Sequence, residues 1–190
     1  MKKILAILLF ICSFLGFSFA EKEVKVYSKS MKKDIPVTVI LPDGYSKDKS
    51  YNTIYVLHGW SGSNKNYPDK TSIKELADQY NVIYVSPDGN YDSWYVDSPV
   101  KKDSKYYTFV SKELVDYVDS NFSTYKAKEH RAITGLSMGG FGAFYIGIKN
   151  QDVFGNIGSM SGGMNPEQYK GNWGIEKVIN SDWNEYNIKD

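Results

Sequence analysis

Cysteine and histidine are almost missing from this sequence. Cys12 is the single cysteine, and it falls inside an apolar leader, so residues 21–190 carry no thiol. Disulfide bridges and thiolate metal centres are excluded there. The two histidines, His58 and His130, both precede residue 137. An excess of one charge is lacking too. Without Lys2 and Lys3 the chain holds 21 basic and 22 acidic side chains, a net charge of −1. That balance offers no basic face to nucleic acid and no attraction to an anionic membrane surface. Repeats and low-complexity stretches are absent as well.

No apolar run is long enough to span a bilayer. The longest, Ile4 to Phe19, is broken by Ser13, Gly16 and Ser18 and falls short of the roughly 20 residues required. Lys2 and Lys3 precede it, and Ser18-Phe19-Ala20 forms a small-x-small cleavage site. This order is that of a secretory signal peptide over residues 1–20. Cys12 follows Ile11 rather than a small residue, which disfavours lipidation. The expectation is a secreted or periplasmic domain over residues 21–190, with no membrane segment after cleavage.

The rest reads as one domain with a packed core. Val24 and Val26, then Ile35, Val37 and Val39, alternate with polar residues as strands with one buried face. Ile54 to Leu57 is a continuous apolar run, as expected of a central strand covered on both faces. It leads into the loop His58-Gly59-Trp60-Ser61-Gly62. Ile73, Leu76, Ala77 and Tyr80 lie at helical spacing behind a Thr71 or Ser72 cap. Val82 to Val85 forms a strand ended by Pro87-Asp88-Gly89. A loop rich in Tyr and Trp covers 90–100. A longer helix carries Phe109, Leu114, Val115, Tyr117 and Val118. Ala132 to Thr134 is a brief strand, Met138 to Lys149 a helix of small residues, and Ile157 to Met160 a last strand. Strands alternating with helices predict an α/β fold, a mainly parallel sheet with helices on both faces.

Gly135-Leu136-Ser137-Met138-Gly139 matches G-x-S-x-G between a predicted strand and a predicted helix, the setting of a nucleophile elbow. A serine presented there must sit on a sharp, strained turn, and side chains at Gly135 or Gly139 would collide with neighbouring backbone. Ser137 is therefore the expected nucleophile. The helix behind it aims free N–H groups at a developing oxyanion. One donor is expected from the backbone N–H of Met138. The other is expected from Trp60, in the loop after the third strand. A glycine-rich turn without chemistry is the competing reading.

Several pieces together resemble the esterase D group of α/β hydrolases, which includes S-formylglutathione hydrolases, feruloyl and acetyl-xylan esterases, and mycolyltransferases. They are Leu57-His58-Gly59, Ser86-Pro87-Asp88-Gly89, Glu113-Leu114, Gly135 to Gly140, and Ser161-Gly162. In order and spacing they span nearly all of residues 24–165. The resemblance implies the α/β-hydrolase fold and a cofactor-free serine hydrolase or acyltransferase acting on esters or thioesters. It also implies that His58 and Gly59 support the oxyanion loop. Secretion leans toward feruloyl or acetyl esters on a polysaccharide. Trp94 and Tyr95, with Tyr91, Tyr106 and Tyr107, stand where such folds place substrate walls; packing within a long loop is the alternative. Asp97 and Asp103 lack the spacing of a cation site, so no metal is expected.

In this fold the acid and the histidine follow the serine along the chain. Only 53 residues follow Ser137, and none is histidine. His130 sits at the wrong end of its strand, and His58 belongs to the oxyanion loop. The expectation is a C-terminally truncated domain that lacks the final strands, its complete form about 70 to 100 residues longer, and a chain inactive or nearly so as written. A non-catalytic secreted homologue with a binding role is the alternative, although a binding protein has no need of an intact elbow.

Overall fold

The computed structural model describes residues 20–180 and 182–188. The leader reading over residues 1–19 lies outside the described residues. Among the described residues no helix is long and apolar enough to cross a membrane.

Among the described residues six strands form one sheet in the order β1-β2-β4-β3-β5-β6. Strands β1 (Ala20–Ser28) and β2 (Lys33–Leu41) make an antiparallel hairpin, and β2 pairs antiparallel with β4 (Val82–Pro87). From there the sheet is parallel, through β3 (Asn52–Leu57), β5 (Arg131–Gly135) and β6 (Asn156–Ile157). Position in the sheet explains the patterning. Outer β1 alternates between buried and exposed residues, whereas every residue of β4 is buried. The last strand is shorter than expected. Ladder pairing ends at Ile157, and the chain rejoins β5 through a single bridge between Leu136 and Met160. Gly158 and Met160 still donate to the Ile133 and Gly135 carbonyls at 2.9 Å each.

Helices cover both faces. On one side α1 (Asn66–Lys70) and α2 (Ile73–Tyr80) enclose a small core of Ile40, Val56, Ile73, Ala77, Val82 and Tyr84. Of the four residues at helical spacing in α2, only Ile73 and Ala77 are buried; Leu76 and Tyr80 are 37% and 62% exposed. The larger core lies on the other face. It takes in α3 (Tyr106–Thr108), α4 (Leu114–Asn121) and α5 (Met138–Lys149), which fills the span expected for it.

Between α3 and α4 the helix widens into a π segment, Phe109–Glu113. Such bulges often accompany a functional or packing demand, and here the demand is visible. Glu113 leaves the segment to accept from the Ser28 hydroxyl at 2.6 Å and from the Ser30 backbone N–H at 2.8 Å. That clamp holds the β1–β2 hairpin against the helix.

Candidate active site

Ser137 occupies the turn between β5 and α5 with φ 54° and ψ −114°. This region disfavours every residue but glycine, at a cost of about 1–3 kcal/mol, and persists only where surrounding structure enforces it. Five backbone hydrogen bonds do so. Leu136 donates to Leu57 at 3.1 Å, Ser137 to Met160 at 2.8 Å, Met160 to Gly135 at 2.9 Å, Gly139 to Leu136 at 2.8 Å, and Phe141 to Ser137 at 2.9 Å. The glycines are a steric requirement. A Cβ on Gly139 would collide with the Leu57 carbonyl and lie 2.6 Å from the His58 oxygen. One on Gly135 would collide with the Gly139 carbonyl and lie 2.7 Å from the Leu57 oxygen. The Ser137 side chain stands exposed at the C-terminal edge of the sheet.

The loop after β3 folds against this serine. A Cβ on Gly59 would lie 3.7 Å from the Cβ of Ser137. The backbone N–H groups of Trp60 and Met138 meet no acceptor among the described residues. Met138 opens α5, so its free donor belongs to the positive end of the helix dipole. The arrangement therefore offers two free donors beside an exposed hydroxyl, the elements that stabilise a tetrahedral oxyanion.

His58 is buried, and both ring nitrogens are engaged. Nδ1 lies 2.7 Å from the Gly59 carbonyl, and Nε2 lies 2.7 Å from the Gly89 backbone N–H. Since the amide must donate, Nε2 accepts and Nδ1 carries the proton, which makes the ring neutral. Burial, opposed by the Gly59 carbonyl and the Asp88 carboxylate, holds its pKa below the usual imidazole value. The ring thus ties the oxyanion loop to the turn after β4. His130 lies at the start of β5, a strand length from Ser137, where it bonds Asn52 at 2.7 Å and stacks on Tyr125.

Trp94 and Tyr95 do not form an open wall. Both are buried, and both hold positive φ, 52° and 55°. Tyr95 lies beneath Gly89 and Gly142, its hydroxyl donating to the His58 carbonyl at 3.2 Å. Trp94 stacks on Tyr169 and donates from Nε1 to the Trp173 carbonyl at 3.1 Å. Side chains this large gain more by filling the space over α5 than by facing water. The exposed aromatics nearby are Tyr91 and Trp173. Asp97 is committed to Thr108 at the end of α3, accepting from its N–H at 3.0 Å and its hydroxyl at 2.5 Å.

One recess lacked a clear sequence signal. A cavity of about 260 Å³ opens on the α1 side of the His58-Gly59 turn, lined by Gly59, Asn66, Tyr67, Lys70, Thr71 and Leu136 as well as His58. Its lining shares Gly59 and Leu136 with the surroundings of Ser137. Tyr67 donates to the Leu57 carbonyl at 3.3 Å, and burial pushes its phenol up to about 12. Neither Tyr67 nor Leu136 belongs to a motif by residue type, which is why spacing alone passes over them.

Solved structures of similar architecture include several named as esterases or hydrolases. An S-formylglutathione hydrolase from Agrobacterium tumefaciens superposes with a TM-score of 0.80 at 21% identity, over 90% of this chain and 70% of that one. A ferulic acid esterase matches with a TM-score of 0.65 at 29% identity, over 73% of this chain and 58% of that one. Among curated relatives, an acetyl esterase of Caldicellulosiruptor saccharolyticus is 33% identical over 147 residues, 73% of this chain and 54% of the relative. An esterase of Mycobacterium tuberculosis is 34% identical over 132 residues, 66% of this chain and 28% of the relative. The chain thus spans about half the length of the first and under a third of the second. The family model described as "Putative esterase" matches residues 28–188. By that match the chain belongs to the esterase family, on the α/β-hydrolase fold that its six-stranded sheet shares with the solved structures.

Proposed function

We propose that this chain is the nucleophile-bearing part of a secreted serine esterase. The observation that carries the reading is the strained Ser137 elbow pressed against a loop whose Trp60 N–H is free. In this reaction the Ser137 Oγ attacks the ester carbonyl and loses its proton to a base. The carbonyl oxygen becomes an oxyanion held by the N–H groups of Met138 and Trp60. Collapse expels the alcohol and leaves an acyl group on Ser137, which water then removes. No cofactor enters these steps.

Among the described residues no histidine stands free at the serine's end of the sheet to act as the base. His58 spends both nitrogens on the loop, and His130 stands at the other end of β5. Residues 21–190 alone therefore hydrolyse esters poorly, because loss of a triad member typically costs several powers of ten in rate. The relatives named acetyl esterase and ferulic acid esterase favour a carboxylic ester, acetyl or feruloyl, borne by a small molecule or a polysaccharide. The cavity beside Leu136 is the place for the acyl group. The engaged His58 also favours a second reading, a homologue that binds such esters without turnover.

The test is hydrolysis of p-nitrophenyl acetate by residues 21–190 beside their Ser137→Ala variant. A weak rate that vanishes in the variant is expected. A rate in the ordinary esterase range would refute the missing base, and a rate identical in the two proteins would refute Ser137 as nucleophile and leave the binding reading.

A further inference from the structure

Ser137 is flanked on two sides, because β5 lies between β3 and β6 in the sheet. On the β3 side stands the loop with Gly59 and the free Trp60 N–H. On the β6 side stands Ser161. The parallel bridge between Leu136 and Met160 sets the register, so that Ser161 follows Met160 as Ser137 follows Leu136. The Met160 carbonyl accepts from the Ser137 N–H at 2.8 Å. One residue past Ser161, Gly162 is pressed against the first turn of α5. A Cβ there would lie 2.5 Å from the Gly140 carbonyl carbon and 2.6 Å from the Phe141 nitrogen. Ser161 is thus held between a residue bonded to the nucleophile and a residue packed on the helix behind it.

Its conformation repeats that of the nucleophile. Ser161 has φ 53°, beside 54° at Ser137. That region disfavours any side chain, whereas glycine, the residue at the next two positions, enters it freely. Strain kept at such a place points to a use for the side chain. The hydroxyl is available for one. Ser161 is exposed, and its Oγ has no hydrogen-bond partner among the described residues. The Ser159 hydroxyl, two residues back, is buried against Gly140 and Gly162 and cannot reach a substrate.

We propose that the Ser161 hydroxyl donates to the alkoxy oxygen of the tetrahedral intermediate formed on Ser137. The assignment rests on the esterase reading. With the oxyanion turned to the Trp60 and Met138 donors and the acyl group in the cavity, the alkoxy oxygen is the substituent left for the β6 side. The hydrogen bond moves no proton. It orients the alcohol oxygen while its bond to carbon breaks, and then the water oxygen that takes the same place when the acyl group leaves Ser137.

Two boron acids test this without turnover. Butylboronic acid adds to the Ser137 Oγ as a tetrahedral anion with two hydroxyls, one in place of the oxyanion and one in place of the alkoxy oxygen. The serine proton passes to the buffer. Dibutylborinic acid forms the same bond with a single hydroxyl, which takes the oxyanion place. Boron-11 resonances of each acid with the full chain at pH 8 follow the change from trigonal to tetrahedral boron, and Ser137→Ala supplies the background.

Ser161→Ala and Ser161→Gly are each expected to weaken butylboronic acid about tenfold and to leave dibutylborinic acid unchanged. Glycine accepts the backbone conformation of the turn, so a loss shared by the two variants is not one of folding. Equal weakening of both boron acids would make Ser161 a mere support for the turn and overturn the contact. Butylboronic acid binding untouched by either variant would overturn it too, and would leave Ser137 standing as the nucleophile. If neither boron acid gives tetrahedral boron that depends on Ser137, the nucleophile assignment falls and the contact falls with it.

Discussion

The backbone N–H of Gly89 donates to Nε2 of His58 at 2.7 Å, so the turn after β4 is fastened to the loop after β3 through one neutral imidazole. The bond exists only while Nε2 is unprotonated. Burial lowers the His58 pKa in the folded chain despite the nearby Asp88 carboxylate. In the unfolded chain the ring takes a proton near its ordinary value of about 6.5. Below that pH the unfolded state binds more protons, so stability falls as pH drops through 6.5 toward the folded pKa. Urea midpoints from pH 8 to pH 5 should show this decline in the parent and a shallower one in His58→Gln. A parallel decline in both would show that other groups carry it. At pH 8 the variant should already be weaker by about 1–3 kcal/mol, since the Gly59 and Gly89 backbone groups lose their partner.

Ser137 stores strain that a glycine would not feel. Its φ of 54° with ψ of −114° is a region glycine enters freely. Ser137→Gly should therefore stabilise the chain by about 1 kcal/mol, whereas Ser137→Ala should not, because alanine keeps the Cβ. Both remove the hydroxyl, so chemical denaturation compares them with function lost in each. Equal midpoints would mean that the turn costs little.

How much of this was legible beforehand depends on the kind of signal. Covalent and steric demands are local, so Gly135, Gly139 and the limits of α5 could be read from residue type and order. The buried run at β3 was legible for the same reason. Burial of large aromatics is a tertiary outcome. Nothing in the sequence distinguishes buried Trp94 from exposed Tyr91, since both are amphipathic rings in one loop. The fate of Trp94 is decided by the space over Phe141 and Tyr169. Leu76 and Tyr80 share the spacing of Ile73 and yet stay exposed, because a helical period fixes a face and not what lies against it. Glu113 was visible as a motif residue, but its role emerged only from the hairpin folded onto it.

That clamp gives a stability prediction independent of chemistry. Glu113 accepts from the Ser28 hydroxyl, the Ser30 N–H and the Ser30 hydroxyl. Glu113→Ala leaves the largely buried Ser28 hydroxyl short of its acceptor, at a cost of about 1–3 kcal/mol. The loss should concentrate at the hairpin. Hydrogen exchange should accelerate at the β1–β2 amides while those of β3 and β5 stay protected. Uniform acceleration would mean that the clamp supports the whole sheet rather than its edge.

Two glycines near the nucleophile should respond to alanine in opposite ways. At Gly139 the added methyl has no room, since the Leu57 carbonyl stands inside contact distance and the His58 oxygen lies at 2.6 Å. Both obstacles are backbone atoms of a central strand and its loop, which cannot yield without moving the sheet. Gly139→Ala should lose about 3 kcal/mol or fail to fold. At Gly59 the methyl meets the Leu136 oxygen at 3.3 Å and the Ser137 Cβ at 3.7 Å, contacts that relax with a small shift. Gly59→Ala should change stability by under about 1 kcal/mol. Yet its methyl would face the Ser137 Cβ from the loop proposed to offer the Trp60 N–H to the oxyanion. The residual Ser137-dependent hydrolysis should fall about tenfold or more, as when an oxyanion donor is displaced. Denaturation midpoints and rates measured on the same preparations decide the matter. If Gly59→Ala keeps the full residual rate, the second donor lies elsewhere than Trp60.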